Sequence, residues 1–214
     1  SVSLLMSTLG RYTDVRKIIN SAKETDFLKF LQYISLRTGS QVDYNDIARN
    51  VGVDARTISS WLSILEASQI IVLLQPYLKN ESNRIVKTPK LYFMDTGLCA
   101  YLGKWPSADI LENGPLAGNF YETFVVSEII KSFLNNGISN KLYNELSYYR
   151  DRDQKEIDLI IETFYGIYPI EIKKGINPVS NINFKFLEKY GKKILNGLII
   201  DSASETKPLG NIVY

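Results

Sequence analysis

Apolar residues recur at helical spacing through the first third of the chain and at strand spacing after it. In FLKFLQYISLRTG, Phe27, Leu31 and Ile34 fall on one helical stripe with Phe30 beside it, and the run closes at Gly39. DYNDIARNVGVDARTISSWLSILEAS then holds two amphipathic segments. The first, from about Tyr44 to Arg49, turns Ile47 and Ala48 inward, and the second turns Ile58, Trp61, Leu62 and Leu65 inward. Gly52 supplies backbone freedom for the turn between them, and Asp54 is a residue type that caps the helix behind it. Ala48, Gly52 and Ile58 have the spacing of a helix-turn-helix: a small residue where helices touch, a turn glycine and an apolar anchor. IIVLLQPYL and RIVKTPKLYFMD are β-rich runs separated by KNESN, which predicts a hairpin. A hairpin behind a helix-turn-helix is a wing, so residues from about 26 to 95 predict a winged helix.

GKWPSADILENGPLAG, rich in Gly and Pro, predicts a linker and a domain boundary in or near it. GNFYETFVVSEIIKSFLNNG predicts a long helix ending at Gly137. KLYNELSYYR, KEIDLIIE and IYPIEIKK predict three strands, and the DRDQ and FYG turns between them make the three an antiparallel meander. NINFKFLEKYGKK predicts a second helix and ILNGLIID a last strand. The expected fold class is α+β: a winged helix-turn-helix over residues 21–103, then an α/β domain over 104–214 in the order α-β-β-β-α-β.

Composition narrows the chemistry. The 214 residues are 45% hydrophobic and 22% charged, an ordinary globular balance, and a net charge of +2 does not by itself select a nucleic-acid partner. There is no histidine, which removes Ser-His triads, histidine bases and His-ligated zinc. Cys99 is the sole cysteine, so neither an internal disulfide nor a cysteine zinc site is available, and a reducing cytoplasm is the expected location. Chemistry is left to carboxylates, Lys, Tyr or an oxygen-liganded metal. No apolar run approaches the roughly 18 residues of a membrane helix, so no membrane partner is expected. The opening SVSLLMSTLG has no signal-peptide features and no initiator Met, and the expectation is a piece of a longer protein. No G-x-x-x-x-G-K-[ST] phosphate loop occurs, so ATP binding of that kind is not expected of this chain.

Strand alternation places Glu156, Asp158 and Ile160 on one face of KEIDLIIE, and Pro169, Glu171 and Lys173 on one face of IYPIEIKK. If these strands pair through FYG, Asp158 and Glu171 approach each other. Two such carboxylates raise each other's pKa, and a divalent cation removes that penalty. Mg²⁺ or Mn²⁺ is the expected cofactor, since two carboxylates and a backbone carbonyl, here that of Ile172, suffice for it. The ion acidifies a bound water, and a lysine such as Lys173 orients that water or stabilises charge on phosphorus. On the long helix, Glu122 shares its stripe with Val126, Ile129 and Phe133, and an inward glutamate needs a partner, with Lys173 or a metal-bound water as candidates. Arg150 is placed to contact phosphate or to neutralise the carboxylates. On the second helix of the helix-turn-helix, Arg56, Thr57, Ser59 and Ser60 face outward as the nucleic-acid surface, a thin phosphate footprint with one basic residue. Taken singly, Glu-x-Lys on a strand is a solvated face and each of these residues has an equally plain explanation.

Together these segments resemble a known family. DIARNVGVDARTISSWLSILEASQIIVLLQPY and KTPKLYFMDTGLCAYL look like the region that follows the ATPase module in many bacterial and archaeal AAA+-type ATPases. GNFYETFVVSEIIK, LSYYRDRDQKEIDLII and YPIEIKKG look like the domain of unknown function that closes those chains, which resembles the PD-(D/E)XK nuclease fold. The resemblance implies a restriction-endonuclease-like domain over 104–214, with Asp158 and Glu171 as metal ligands, Lys173 as catalytic lysine and Glu122 as the helix glutamate. It also implies that residues 1–20 are the tail of an absent ATPase module, which would carry the ATP.

The function expected is therefore the C-terminal effector region of an AAA+-type ATPase, binding nucleic acid (DNA above all) and carrying a Mg²⁺- or Mn²⁺-dependent phosphodiesterase site. The alternative is an inactive nuclease-like scaffold whose winged helix docks on protein. A transcription regulator with a ligand-sensing domain also fits the winged helix but leaves the carboxylates unexplained. The expected partners are nucleic acid and the chain's own ATPase module, with room for an oligomer.

Overall fold

The computed structural model describes residues 24–77, 88–136, 145–175, 184–191, 193–202, 208–209 and 212–213. The expected ATPase tail over 1–20 and the hairpin tip KNESN lie outside them. Helices and mixed sheets make the fold α+β.

Helix α1 (Glu24–Ser35) buries Phe27, Phe30, Leu31 and Ile34, the stripe that its spacing predicts. Strand β1 (Ser40–Gln41) and helix α2 (Tyr44–Val51) follow. Asp43 caps α2 by accepting from the amides of Asn45 and Asp46, and Gly52 ends it at φ +89° with its N–H on the Ala48 carbonyl. That left-handed backbone is why a glycine stands there. Asp54 caps α3 (Ala55–Ala67) through the Thr57 amide. Ile58, Trp61, Leu62 and Leu65 of α3 close on α1, where Trp61 meets the Phe27 ring edge-on at 5.2 Å.

Strands β2 (Ile71–Leu74) and β3 (Lys90–Phe93) pair antiparallel, with β1 on the other edge of β3. Both faces of this pair are covered. Ile71, Leu91 and Phe93 join the core of α1–α3, whereas Val72, Leu74, Tyr92 and Met94 join a second core with the chain beyond residue 117. The stretch expected to be a linker, 103–118, follows directly on α4 (Thr96–Leu102) and holds a short helix of its own, α5 (Ala108–Glu112). The side chains of Asp95 and Ser107 cap these two helices, and a capping residue ahead of a short segment is a signal that Gly and Pro content obscures.

Helix α6 (Ala117–Asn135) lies over a six-stranded mixed sheet. β4 (Leu146–Arg150), β5 (Glu156–Thr163) and β6 (Gly166–Ile172) form the antiparallel meander, and β7 (Gly197–Ile200) adds parallel to β6. Two further short strands, β8 (Pro208–Leu209) and β9 (Ile212–Val213), complete the order β4-β5-β6-β7-β9-β8. The second expected helix is a 3₁₀ turn, Lys185–Tyr190, among the described residues. The two sheets meet at an edge: Pro76 bridges Tyr148 in parallel, the Tyr148 amide donates to the Gln75 carbonyl and the Tyr77 amide to the Tyr148 carbonyl. No helix of the described residues is long and apolar enough to cross a membrane.

Candidate functional site

The site begins at the start of β3. Lys90 follows Pro89, and strand parity puts it on the same face as Tyr92 and Met94, toward α6. Its side chain is 3% exposed, so its ammonium must find acceptors inside the protein. It finds Oε1 of Glu122 at 2.9 Å and Oε1 of Glu156 at 2.5 Å, with Oδ1 of Asp158 at 3.9 Å and the Tyr148 ring centroid at 5.4 Å. Burial disfavours the charge, but the three carboxylates outweigh it and hold the lysine pKa well above its ordinary value.

Glu122 reaches this point from α6, one turn before Val126 of the buried stripe. The expectation that it faces the protein holds, but its partners are Lys90 and Tyr92 rather than Lys173. The Tyr92 hydroxyl donates to Oε1 of Glu122 at 2.5 Å, and burial followed by that negative charge pushes the phenol pKa up.

Asp158 is positioned by an irregularity that simple alternation does not foresee. β4 and β5 pair as Ser147 with Ile160 and then as Tyr149 with Ile157, so Asp158 and Leu159 together oppose the single residue Tyr148. This β-bulge breaks the period of two. Ile157 and Ile160 both enter the core shared with Tyr149 and Leu187, and Leu159 enters the α6 core. The expected common face of Glu156, Asp158 and Ile160 is thereby corrected: Ile160 lies on the other side. Asp158, 6% exposed, sits where the β5–β6 ladder ends at Leu159–Ile170, and one more step of that register brings it across from Glu171. There the Ile172 amide donates to Oδ2 of Asp158 at 2.8 Å. Burial, then the charges of Glu122 and Glu171, raise the Asp158 pKa to about 7, against the lowering by Lys90 and the Ile172 amide.

Glu171, on β6, pairs with Lys173 at 2.6 Å. Burial first, then Glu156 and Glu122, push its carboxyl above the ordinary range, although Lys173 pulls the other way. Burial works against the Lys173 ammonium too, but the hydrogen bond to Glu171 prevails and keeps it protonated. The Lys173 side chain is 42% exposed, against 3% for Lys90. Arg150 donates to Oε2 of Glu156 at 3.0 Å and to Gln154 at 2.5 Å, so it neutralises a carboxylate, one of its two expected roles.

Four carboxylates (Glu122, Glu156, Asp158, Glu171) thus face three cations (Lys90, Lys173, Arg150), leaving one negative charge over. The sequence-derived Glu122, Asp158, Glu171, Ile172, Lys173 and Arg150 are brought to one region. Lys90, Tyr92 and Glu156 belong to it as well. For Lys90 the available signal was its parity with Tyr92 and Met94, and for Glu156 its place two residues before Asp158. On α3, Arg56 and Ser60 are exposed, whereas the Thr57 hydroxyl is held by Asp54 at 3.0 Å.

Two family models match the chain, each described as a domain of unknown function: DUF8612 over residues 10–109 and DUF4143 over residues 117–214. The uncharacterized protein Rv2008c of Mycobacterium tuberculosis and the uncharacterized protein Mb2031c of Mycobacterium bovis are each 29% identical to it over 133 residues, which is 62% of this chain. The matched part is 28% of the length of each relative. No solved structure matches.

Proposed function

We propose that this chain is a nucleic-acid-binding effector region with a Mg²⁺- or Mn²⁺-dependent phosphodiesterase site formed by Asp158, Glu171 and Lys173. The observation that carries this is the charge shortfall at Asp158 and Glu171: Asp158 is buried and Glu171 partly so, both are raised in pKa, and they are set across from each other where a strand ladder opens. Among the described residues no group of three or more His, Cys, Asp or Glu converges as a metal cage, so a bound ion would rest on this pair, the Ile172 carbonyl and water. The pair suits a hard cation, because a divalent charge offsets the burial and the neighbouring negative charges that raise both carboxyls. When bound, the ion supplies an acidified water and a polarised phosphoryl oxygen. Lys173, half exposed and kept protonated by Glu171, is the group of this chain that meets a phosphate arriving from solvent.

On this reading the helices and β-pair of the first half act as a winged helix and the second half as a restriction-endonuclease-like domain, with 21–103 and 104–214 as the two units and DNA as the preferred nucleic acid. Arg56, Thr57 and Ser60 of α3 line the nucleic-acid surface. The greater length of the relatives supports an additional module elsewhere in the parent protein, for which we propose an AAA+-type ATPase that binds the ATP. The location we propose is cytoplasmic. The test is cleavage of single- and double-stranded DNA with Mn²⁺ by the 214-residue chain beside Glu171→Ala and Lys173→Ala. Cleavage by the parent alone is expected, and equal rates in all three proteins would end the catalytic claim.

One observation favours the non-catalytic alternative. Lys90 already neutralises Glu122 and Glu156 and joins the two halves, as a scaffold requires. Calorimetric Mn²⁺ binding by the parent that disappears in Asp158→Ala would count against that alternative.

A further inference from the structure

Lys90 is a buried cation that reaches the carboxylates from the other half of the chain. Its ammonium is within salt-bridge distance of Glu122 on α6 and of Glu156 and Asp158 on β5. Tyr92, two residues on, fixes Glu122 from the same strand, and the Tyr148 hydroxyl, on the sheet's edge strand, donates to the Thr88 carbonyl just ahead of Lys90. A single positive charge held among three acids does what a bound cation does: it offsets their mutual repulsion and holds them close.

We propose that Lys90 is the resident counter-ion of the site, holding Glu122 and Glu156 in place and competing with a divalent cation for Asp158. This rests on the reading of Asp158 and Glu171 as the cation pair and deepens it. An ammonium 3.9 Å from Oδ1 of Asp158 repels any metal ion that Asp158 takes up, so divalent-ion affinity in the resting chain is held down. Binding the ion tightly then requires Lys90 to withdraw. Because Lys90 is carried by β3 of the first half, displacement of that strand by a partner of the first half would open the site to metal.

The experiment compares Mn²⁺ binding by the 214-residue chain and its Lys90→Met variant, by calorimetry and by thermal melting with and without MnCl₂. Removing the competing charge is expected to tighten Mn²⁺ binding by about ten-fold or more. Mn²⁺ should also raise the variant's melting temperature by about 5 °C beyond its effect on the parent, since the ion replaces the lost charge. Adding Asp158→Asn to Lys90→Met should abolish both gains. A lysine that merely positions the carboxylates for metal predicts the opposite, and a variant that binds Mn²⁺ no tighter than the parent overturns the proposal. If Lys90→Met does not fold, Lys90→Gln is measured in its place, with the same outcomes deciding. DNA cleavage forms no part of this readout. Mn²⁺ rescue without any cleavage would leave the Lys90 assignment standing and the phosphodiesterase reading lost, and cleavage without rescue would do the reverse.

Discussion

The two ends of the carboxylate cluster use the same residue types and differ in what neutralises them. Around Lys90, Glu122 and Glu156 are paired with Lys90 itself, Tyr92 and Arg150. Around Lys173, the buried Asp158 and the partly buried Glu171 have one half-exposed lysine and one backbone amide, with Lys90 no nearer than 3.9 Å to Asp158. The first end is a closed set of interactions that ties the halves together, and the second is short of positive charge. Buried ion pairs break costly when one partner leaves, whereas acids left short of charge raise their pKa instead. On the proposed function, structure and chemistry fall to opposite ends of one network.

The largest effect belongs to the closed end. Lys90→Met leaves the partly buried Glu122 and Glu156 and the buried Asp158 without their common cation and is expected to cost about 3–5 kcal/mol of stability. Urea unfolding at neutral pH measures it, and a loss below about 1 kcal/mol would mean that the halves are not joined through this lysine.

Asp158→Asn should act in the opposite direction, and with pH. The folded pKa of Asp158, about 7, lies above the ordinary carboxyl value, so the folded state binds the proton more tightly. The stabilisation from that proton is complete below about pH 4 and is lost as pH rises through about 7. Asn resembles the protonated acid and can still accept the Ile172 amide. The variant should therefore match the parent near pH 4 and exceed it at pH 8, by an amount on the order of 2–4 kcal/mol. A parent whose stability does not decline over that interval would erase the distinction between the two ends.

Tyr92→Phe tests the closed end more gently. It removes one donor to Glu122 and leaves Lys90 in place, so the expected loss is about 1–2 kcal/mol. A double-mutant cycle with Glu122→Gln should show coupling between the pair, and additive losses would place the hydroxyl outside the network.

Much of this architecture is legible in local pattern. The apolar stripes of α1 and α3, the Asp54 cap and the Gly52 turn are each specified by residues within a few positions of one another. The meander follows from its two short turns. What local pattern leaves out are the long-range placements. Lys90 reads as a charge at a strand's start until β3 is known to be covered on both faces, and its acceptors lie at positions 122, 156 and 158. The bulge at Asp158 is invisible for a related reason: alternation assumes a partner strand that keeps step, and β4 does not. Spacing along two strands points to Asp158, Glu171 and Lys173, but the shortage of charge at the first two emerges only with burial.

The smallest effect on stability should come from Lys173, which makes it the sharpest probe of the comparison. Lys173 and Lys90 are both lysines ion-paired to glutamate at 2.5–2.9 Å. Solvent reaches 42% of the Lys173 side chain, so its pair with Glu171 is screened, and removing it costs little of the folded state. Lys173→Ala is expected to change unfolding free energy by less than about 1 kcal/mol. On the proposed function the same substitution abolishes Mn²⁺-dependent DNA cleavage, a fall of about 100-fold or more, because the lost charge is the one that faces the phosphate. Lys90→Met has the reverse profile, a large loss of stability with Mn²⁺ binding kept or gained. Measuring unfolding and cleavage on both variants separates the two lysines cleanly. If Lys173→Ala unfolds as readily as Lys90→Met, both ends of the cluster are structural, and the half-exposed lysine has no work left that a scaffold would not give it.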